Sequence, residues 1–372
     1  MKSSGDLPAA YIRITTGLQK INYLYVYFCD KLKKNNIIML VLGSDDIKKA
    51  AHIIKSGGTV AFPTETVYGL GADALNPFAV EKIFKAKNRP PDNPLIVHVS
   101  SKEMLNRVVK DIPETGNMLI DAFWPGPLTL ILNRRDVVPD ITTGGLDTVA
   151  VRMPHHDIAL SLIKESNVPI AAPSANISGR PSPTKAGHVI KDMDGRIDAI
   201  IKGEDSRIGM ESTVIDLTVT PPALLRPGGL SLEEITGCIG EVETGKGSGK
   251  SPGMRYTHYS PETKLVLIEG ETSRVLSRIC RLVNDYRQQG QKVGVIVTRE
   301  SSGQIDCDAK FIIGSANNLK EVAGRLFSGL RFLDEAGVDI GIVEGVFPEV
   351  REGRAIMNRL RKAAGENIVY ST

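Results

Sequence analysis

Residues 59–71, Thr-Val-Ala-Phe-Pro-Thr-Glu-Thr-Val-Tyr-Gly-Leu-Gly, drive a short apolar run into Thr64, Glu65, Thr66 and Tyr68 before Gly69 and Gly71 interrupt it. Hydroxyls grouped beside one carboxylate where a strand ends suit a small polar substrate, since loops leaving strand ends are where α/β proteins bind ligands. A hairpin turn with satisfied hydroxyls is the other reading. Farther along, Lys87 and Arg89 stand at a helix end, where cations are favoured by the terminal carbonyls and solvated beyond them. Here Pro90, Pro91 and Asn93 follow at once and stiffen the backbone. His98 alternates with apolar neighbours, as a core histidine does. The Ser174-Ala-Asn176 triplet suits an Asx turn, Thr184 suits the N-cap of a following helix, and Arg226 alone suits an exposed surface. Neither a Ser-His-Asp nor a Cys-His nucleophile pattern is present, which agrees with chemistry for which positioning and charge neutralisation suffice.

Taken in order, residues 59–71, 87–98 (Lys-Asn-Arg-Pro-Pro-Asp-Asn-Pro-Leu-Ile-Val-His), 147–154 (Asp-Thr-Val-Ala-Val-Arg-Met-Pro), 172–179 (Ala-Pro-Ser-Ala-Asn-Ile-Ser-Gly), 211–213 (Glu-Ser-Thr) and 225–228 (Leu-Arg-Pro-Gly) resemble the YrdC-like family of threonylcarbamoyl-AMP synthases. The likeness runs from about Val41 to Gly229. Residues 251–261, Ser-Pro-Gly-Met-Arg-Tyr-Thr-His-Tyr-Ser-Pro, look like the linker of the long, two-domain members. The resemblance implies that L-threonine, bicarbonate and ATP, the last with Mg2+, give threonylcarbamoyl-AMP, pyrophosphate and water. It places Lys87 and Arg89 at the triphosphate and the reacting carboxylate. Thr66, His98, Arg152, Ser174 and Ser212 fall at threonine, where the planar fork of Arg152 can bind both carboxylate oxygens. Asn93, Thr148, Asn176, Thr184 and Arg226 fall with Arg89 at ATP. Tyr259, with Tyr256 as the weaker alternative, belongs to a linker that closes over the nucleotide. The resemblance further implies possible contact with tRNA and a separate transferase that completes threonylcarbamoyladenosine beside the anticodon. Two other classes compete: an RNA-binding module, and a carbamoyl-transfer domain like those of hydrogenase maturation, whose additional zinc-finger and acylphosphatase segments this chain lacks.

Composition bounds the rest. A chain of 372 residues, 41% hydrophobic and 24% charged, reads as a globular protein of two domains. The longest early apolar run, Tyr23 to Cys29, falls far short of the roughly 20 residues a bilayer demands, and a cytoplasmic location without membrane contact is expected. Cys29, Cys238, Cys280 and Cys307 form no CxxC pair and suggest no metal site. The net charge of +3 belongs to the start of the chain. The first 38 residues hold six Lys or Arg against two Asp, leaving the remainder at −1. Charge therefore gives no reason to expect nucleic-acid binding by the folded body.

The elements that must position these residues follow from periodicity and punctuation. Residues 1–38 form an extension expected to be poorly ordered, or to precede a true start at Met39. A catalytic domain over 39–240 is expected to be α/β: a YrdC-like twisted mixed sheet with helices. Its first helix covers Asp45 to Ser56, followed by a strand at Thr59 to Pro63 and a helix begun by Asn76 and Pro77. Strands follow at Leu95 to Val99, Leu128 to Leu132, Thr148 to Met153 and Pro169 to Ala172. Residues 241–262 read as a linker. Within it Gly245-Lys-Gly-Ser-Gly-Lys-Ser-Pro252 imitates a phosphate loop but has Thr244 where the first glycine belongs and Pro252 where a helix should begin. Residues 263–372 alternate strand and helix: Lys264 to Ile268, Arg274 to Gln288, Lys292 to Val297, Lys310 to Ile313, Asn318 to Ala336 and Ile340 to Glu344. They predict a smaller Rossmann-like α/β domain without a GxGxxG fingerprint.

Overall fold

The structure is a computed structural model that describes residues 38–244 and 259–371. The N-terminal extension through residue 37 and linker residues 245–258, Tyr256 among them, lie outside the described residues.

The first body contains strands β1 (Leu40–Leu42), β2 (Val60–Phe62), β3 (Gly69–Asp73), β4 (Ile96–His98), β5 (Leu128–Asn133), β6 (Thr148–Arg152), β7 (Ile170–Ala171), β8 (Ala199–Ile201), β9 (Thr213–Asp216), β10 (Ala223–Arg226) and β11 (Glu243–Thr244). They form one mixed sheet in the order β1-β8-β2-β3-β7-β4-β6-β5-β9-β10-β11. Parallel pairs such as β4 with β6 alternate with antiparallel ones such as β2 with β3 and β3 with β7. Helices α1 (Ile47–Lys55), α2 (Pro77–Lys87), α3 (Lys102–Asn106), α4 (Glu114–Phe123), α5 (Asp140–Thr143), α6 (Asp157–Ser166), α7 (Ala186–Met193) and α8 (Leu232–Ile239) connect them.

Local chemistry explains the boundaries. The side chain of Asn76 accepts from the backbone N–H groups of Phe78 and Ala79, and Pro77 supplies the first helical residue, so α2 starts where the sequence predicts. It stops because Asn88 adopts a left-handed conformation, φ 52°, before the paired prolines. The expectation that Gly69 and Gly71 break the strand is corrected: they belong to β3. A Cβ on Gly71 would lie 2.7 Å from both Ile170 Cγ2 and Phe62 Cε1, so the position needs glycine for close packing between neighbouring strands.

The second body carries a parallel sheet in the order β14-β13-β15-β12-β16: β12 (Lys264–Gly270), β13 (Val293–Thr298), β14 (Ala309–Gly314), β15 (Ile340–Gly345) and β16 (Ile368–Ser371). Helices α9 (Thr272–Gln288), α10 (Leu319–Ala336) and α11 (Glu352–Ala364) flank it. Its core does not stop at its own boundary. Val67 and Met210 of the first body pack in one apolar cluster with Tyr259, Leu326 and Phe327. Gly209, at φ +69°, approaches so closely that a Cβ there would fall 2.5 Å from Gly324 Cα on α10.

Candidate active site

The period of two along a strand decides which side chains meet a ligand. On β4, Val97 enters the helix-covered core, whereas Ile96 and His98 point the other way. In the parallel β4–β6 pair, His98 stands opposite Arg152. With Gly69 from the head of β3 and Ala172 just beyond β7, they pave the floor of a cleft of about 690 Å³ including its mouth, a size suited to small ligands. The cleft therefore lies across a sheet face, with only its rims built from the strand-end loops that sequence reasoning favoured.

One end is organised by Arg152, 4% exposed. Its Nη1 donates to Thr66 Oγ1 at 2.8 Å and its Nε to the Gly126 carbonyl at 3.1 Å. Nη2 lies 2.7 Å from Glu65 Oε1, an ion pair between two buried groups that lacks hydrogen-bond alignment. Burial pushes the Glu65 carboxyl up, but the Arg152 charge and backbone N–H donors outweigh that and hold it below its ordinary value. Thr64 orders the same turn, sharing a 2.8 Å hydrogen bond with Thr66 and donating to the Val67 carbonyl. His98 sits edge-on to Phe62 with its Nδ1 buried and unpartnered. Burial, reinforced by the positive charge of Arg152, pushes its pKa down to about 3, so the imidazole is neutral at physiological pH.

The other end is framed by loops. Lys87 Nζ donates to the carbonyls of Ser174 and Asn176, each at 2.5 Å, and its place as the last residue of α2 makes it a fixed strut beneath that loop. Burial, then the neighbouring Arg89, lowers its pKa well below the usual lysine value. Asn176 Nδ2 donates to the Ile177 and Arg180 carbonyls, while its buried Oδ1 has no partner. Arg89 reaches the carbonyls of Asn93 and Pro94. Arg226 grips Ser212 at both its carbonyl, 2.9 Å, and its hydroxyl, 3.1 Å. Tyr259 lines the same cleft; it is held at φ +70°, 5.3 Å from the Phe327 ring, and buried so that its hydroxyl pKa is raised.

Thus Thr66, Arg89, His98, Arg152, Ser174, Asn176, Ser212, Arg226 and Tyr259, scattered over the sequence, line one cleft. Lys87, Asn93, Thr148 and Thr184 are not among the lining side chains. Asn93 borders the cleft through Arg89. Thr148 begins β6, opposite Asn133 at the far end of the strand from Arg152. Thr184 is not the N-cap of α7, a position held by Lys185; its hydroxyl pairs with Ser328 of α10. Arg226, 5% exposed, is no surface arginine. Arg180, Ser182 and Glu211 line the cleft and were given no role by sequence reasoning. The proline-flanked hydroxyl of Ser182 was the available signal. Arg359, which meets Glu211 across 148 residues of chain, left no local one.

An α/β body whose open sheet face gathers four arginines, a neutral histidine and several hydroxyls defines an enzyme for small polar and polyanionic substrates. Comparison with known proteins narrows the class. Residues 52–228 match the Sua5, YciO and YrdC family model described as "Telomere recombination", and residues 230–365 match the "Threonylcarbamoyl-AMP synthase, C-terminal domain" model. The threonylcarbamoyl-AMP synthases of Pyrococcus abyssi and Bacillus subtilis are 54% and 48% identical to this chain, covering 87% of it and 95% and 94% of their own lengths. That of Schizosaccharomyces pombe is 43% identical, covering 86% and 88%. The crystal structure of P. abyssi Sua5 complexed with L-threonine superposes with a TM-score of 0.85 at 50% identity, covering 90% of this chain and all of that one. The chain belongs to the threonylcarbamoyl-AMP synthase family.

Proposed function

We infer that this cleft joins L-threonine, bicarbonate and ATP into threonylcarbamoyl-AMP, with Thr66, His98, Arg152, Ser174 and Ser212 at threonine and Arg89, Asn93, Asn176, Arg226 and Tyr259 at the nucleotide. The convergence of Arg89, Arg152, Arg180 and Arg226 on a cleft whose lining holds Glu211 as its carboxylate carries the reading. Arg152 is paired with Glu65 and Arg180 with Asp192 and Glu262 behind the lining, and such a gathering of guanidinium groups suits an amino-acid carboxylate beside a triphosphate.

In this reading bicarbonate takes up a proton and loses water to give CO2, whose carbon the deprotonated threonine amine attacks; the N–H proton then released replaces the one taken up and leaves a carbamate. A carbamate oxygen then attacks the α-phosphorus of ATP, the bond to the β-phosphate oxygen breaks, and pyrophosphate leaves. The unpartnered Nδ1 of neutral His98 can accept a hydrogen bond from threonine, and the buried Oδ1 of Asn176 can accept one from the adenylate. Arginines placed before the reaction stabilise charge gathering on phosphorus without reorganising. Lys87 serves this centre from behind, fixing the Ser174 and Asn176 backbone. Thr148 and Thr184 act from outside the lining, through the segments they hold. Mg2+ enters as Mg-ATP, held largely by substrate phosphates and water, since Glu211 is already engaged by Ser182 and Arg359.

The product then passes to a separate transferase for threonylcarbamoyladenosine formation in tRNA, in the compartment where tRNA is modified, the cytoplasm; direct tRNA contact belongs to that hand-over. Among the described residues no helix is long and apolar enough to cross a membrane. Pyrophosphate release with each substrate omitted in turn tests the reaction. Release is expected only with threonine, bicarbonate and ATP together, and undiminished release without threonine would refute it.

A further inference from the structure

We propose that Arg331 and Arg359 of the second body are positioning residues for the nucleotide end of the cleft, so that this domain completes the active site through two buried guanidinium groups. The proposal rests on the function inferred above.

Both arginines leave their own domain to do this. Arg359, on α11 and 0% exposed, donates from Nε to Glu211 Oε2 at 3.0 Å and from Nη1 to the Pro227 carbonyl at 2.6 Å. Its guanidinium carbon lies 5.5 Å from the centre of the Tyr259 ring. The other oxygen of Glu211 accepts from Ser182 Oγ at 2.6 Å. Arg331, on α10, spreads its fork over both oxygens of Asp192, at 3.2 and 2.7 Å, and donates to the Pro181 carbonyl at 2.6 Å. Asp192, whose side chain is fully buried, belongs to α7 and is not part of the cleft lining.

The consequence is a continuous circuit of contacts from one domain to the other and back. Arg331 fixes Pro181, whose neighbour Ser182 binds Glu211; Glu211 binds Arg359; Arg359 fixes Pro227, whose neighbour Arg226 grips Ser212. Ser182, Glu211, Ser212, Arg226 and Tyr259 all line the cleft. Of the residues placed at threonine above, this circuit reaches Ser212 alone; none of its hydrogen bonds runs to Thr66 or His98 or takes Arg152 as donor, so the second domain bears mainly on the nucleotide end. Lysine at either arginine position keeps the charge but is a compact point donor without the planar fork, so it cannot reproduce the spread of hydrogen bonds that each guanidinium makes to carboxylate and carbonyl.

The test uses the full chain with Arg331→Lys, Arg359→Lys and Asp192→Asn, measuring pyrophosphate release and urea unfolding together. Wild-type turnover must first depend on all three substrates; if it does not, the functional reading fails and not this inference. Given that dependence, each variant is expected to raise KM for ATP about ten- to hundredfold, as loss of a charge-assisted hydrogen bond does, with a clearly smaller rise in KM for threonine, transmitted through Ser212 alone. The double variant Arg331→Lys with Asp192→Asn should fall well short of the sum of the two single effects, because both break the Arg331–Asp192 link, even though Asp192 also lies 3.5 Å from Arg180. Unchanged KM values, or a loss of activity that only tracks the unfolded fraction, would overturn the proposal, and so would additive effects in the double variant.

Discussion

Arg152 does two jobs that substitution can separate. It faces the cleft, and it also neutralises Glu65, 3% exposed, at 2.7 Å. Arg152→Ala should therefore lower stability by about 3–5 kcal/mol, the usual result of stranding one partner of a buried ion pair, while raising KM for threonine. Adding Glu65→Gln should restore most of the stability in urea titrations and none of the threonine affinity. Recovery of both would take Arg152 out of substrate binding. His98 makes a second prediction at this scale. Its pKa falls from an ordinary 6.5 to about 3 on folding, so below pH 6.5 the unfolded chain binds a proton that the native protein refuses. Stability is then complete above that pH and declines as the pH drops, by up to about 1.4 kcal/mol per pH unit from this group. Glu65 and Glu211, held below their ordinary values, extend the loss below pH 4.5. Urea midpoints from pH 7 to 5 should fall for wild type and fall less for His98→Gln.

At the scale of elements, the strands and helices that announce themselves by cap or period were legible: α2 through Asn76-Pro77, β4 through its apolar run, and the strand–helix alternation after residue 263. The short strand β8 was missed because three residues show no period of their own, and α11 because its buried arginine and alanines look polar or neutral in sequence. The glycines of β3 misled for a different reason. Glycine usually marks a break, and only the Phe62 ring and Ile170 pressed against it show why a strand needs it here. Most cleft residues were found by the ordered set of motifs, whereas Arg359 and Arg331 depend on pairing across domains that no local pattern encodes. Gly71→Ala should cost about 1–3 kcal/mol by overpacking, read as a lowered urea midpoint. Gly69→Ala, whose Cβ would meet Ala172 Cβ at 3.3 Å, should be milder in stability.

For the molecule as a whole, the domains share an apolar cluster and meet backbone to backbone at one point of their seam. Gly209 combines a left-handed φ of +69° with a backbone-to-backbone approach to Gly324. Gly209→Ala should therefore be strained by its backbone and by collision, costing about 2 kcal/mol or more. Gly324→Ala has a nearest neighbour at 3.7 Å and should be nearly neutral. If limited proteolysis finds the two variants equally resistant, the approach is not what holds the domains together.

The alternation along β4 also sets what evolution and engineering can do to this chain. Because Val97 and His98 face opposite sides of one sheet, adding or deleting a single residue within β4 exchanges core and cleft along the strand, replacing an imidazole with an isopropyl group at the substrate while burying the imidazole under helices. The same holds for β6, where Val151 would take the place of Arg152. Length changes in these strands should thus be all-or-none. A residue inserted between Asp136 and Val137, both exposed, should be absorbed. A library of single-codon insertions and deletions scored for pyrophosphate release should show silent gaps over residues 96–98 and 148–152 and survivors at 136–137, and survivors inside the strands would mean that the register can slip.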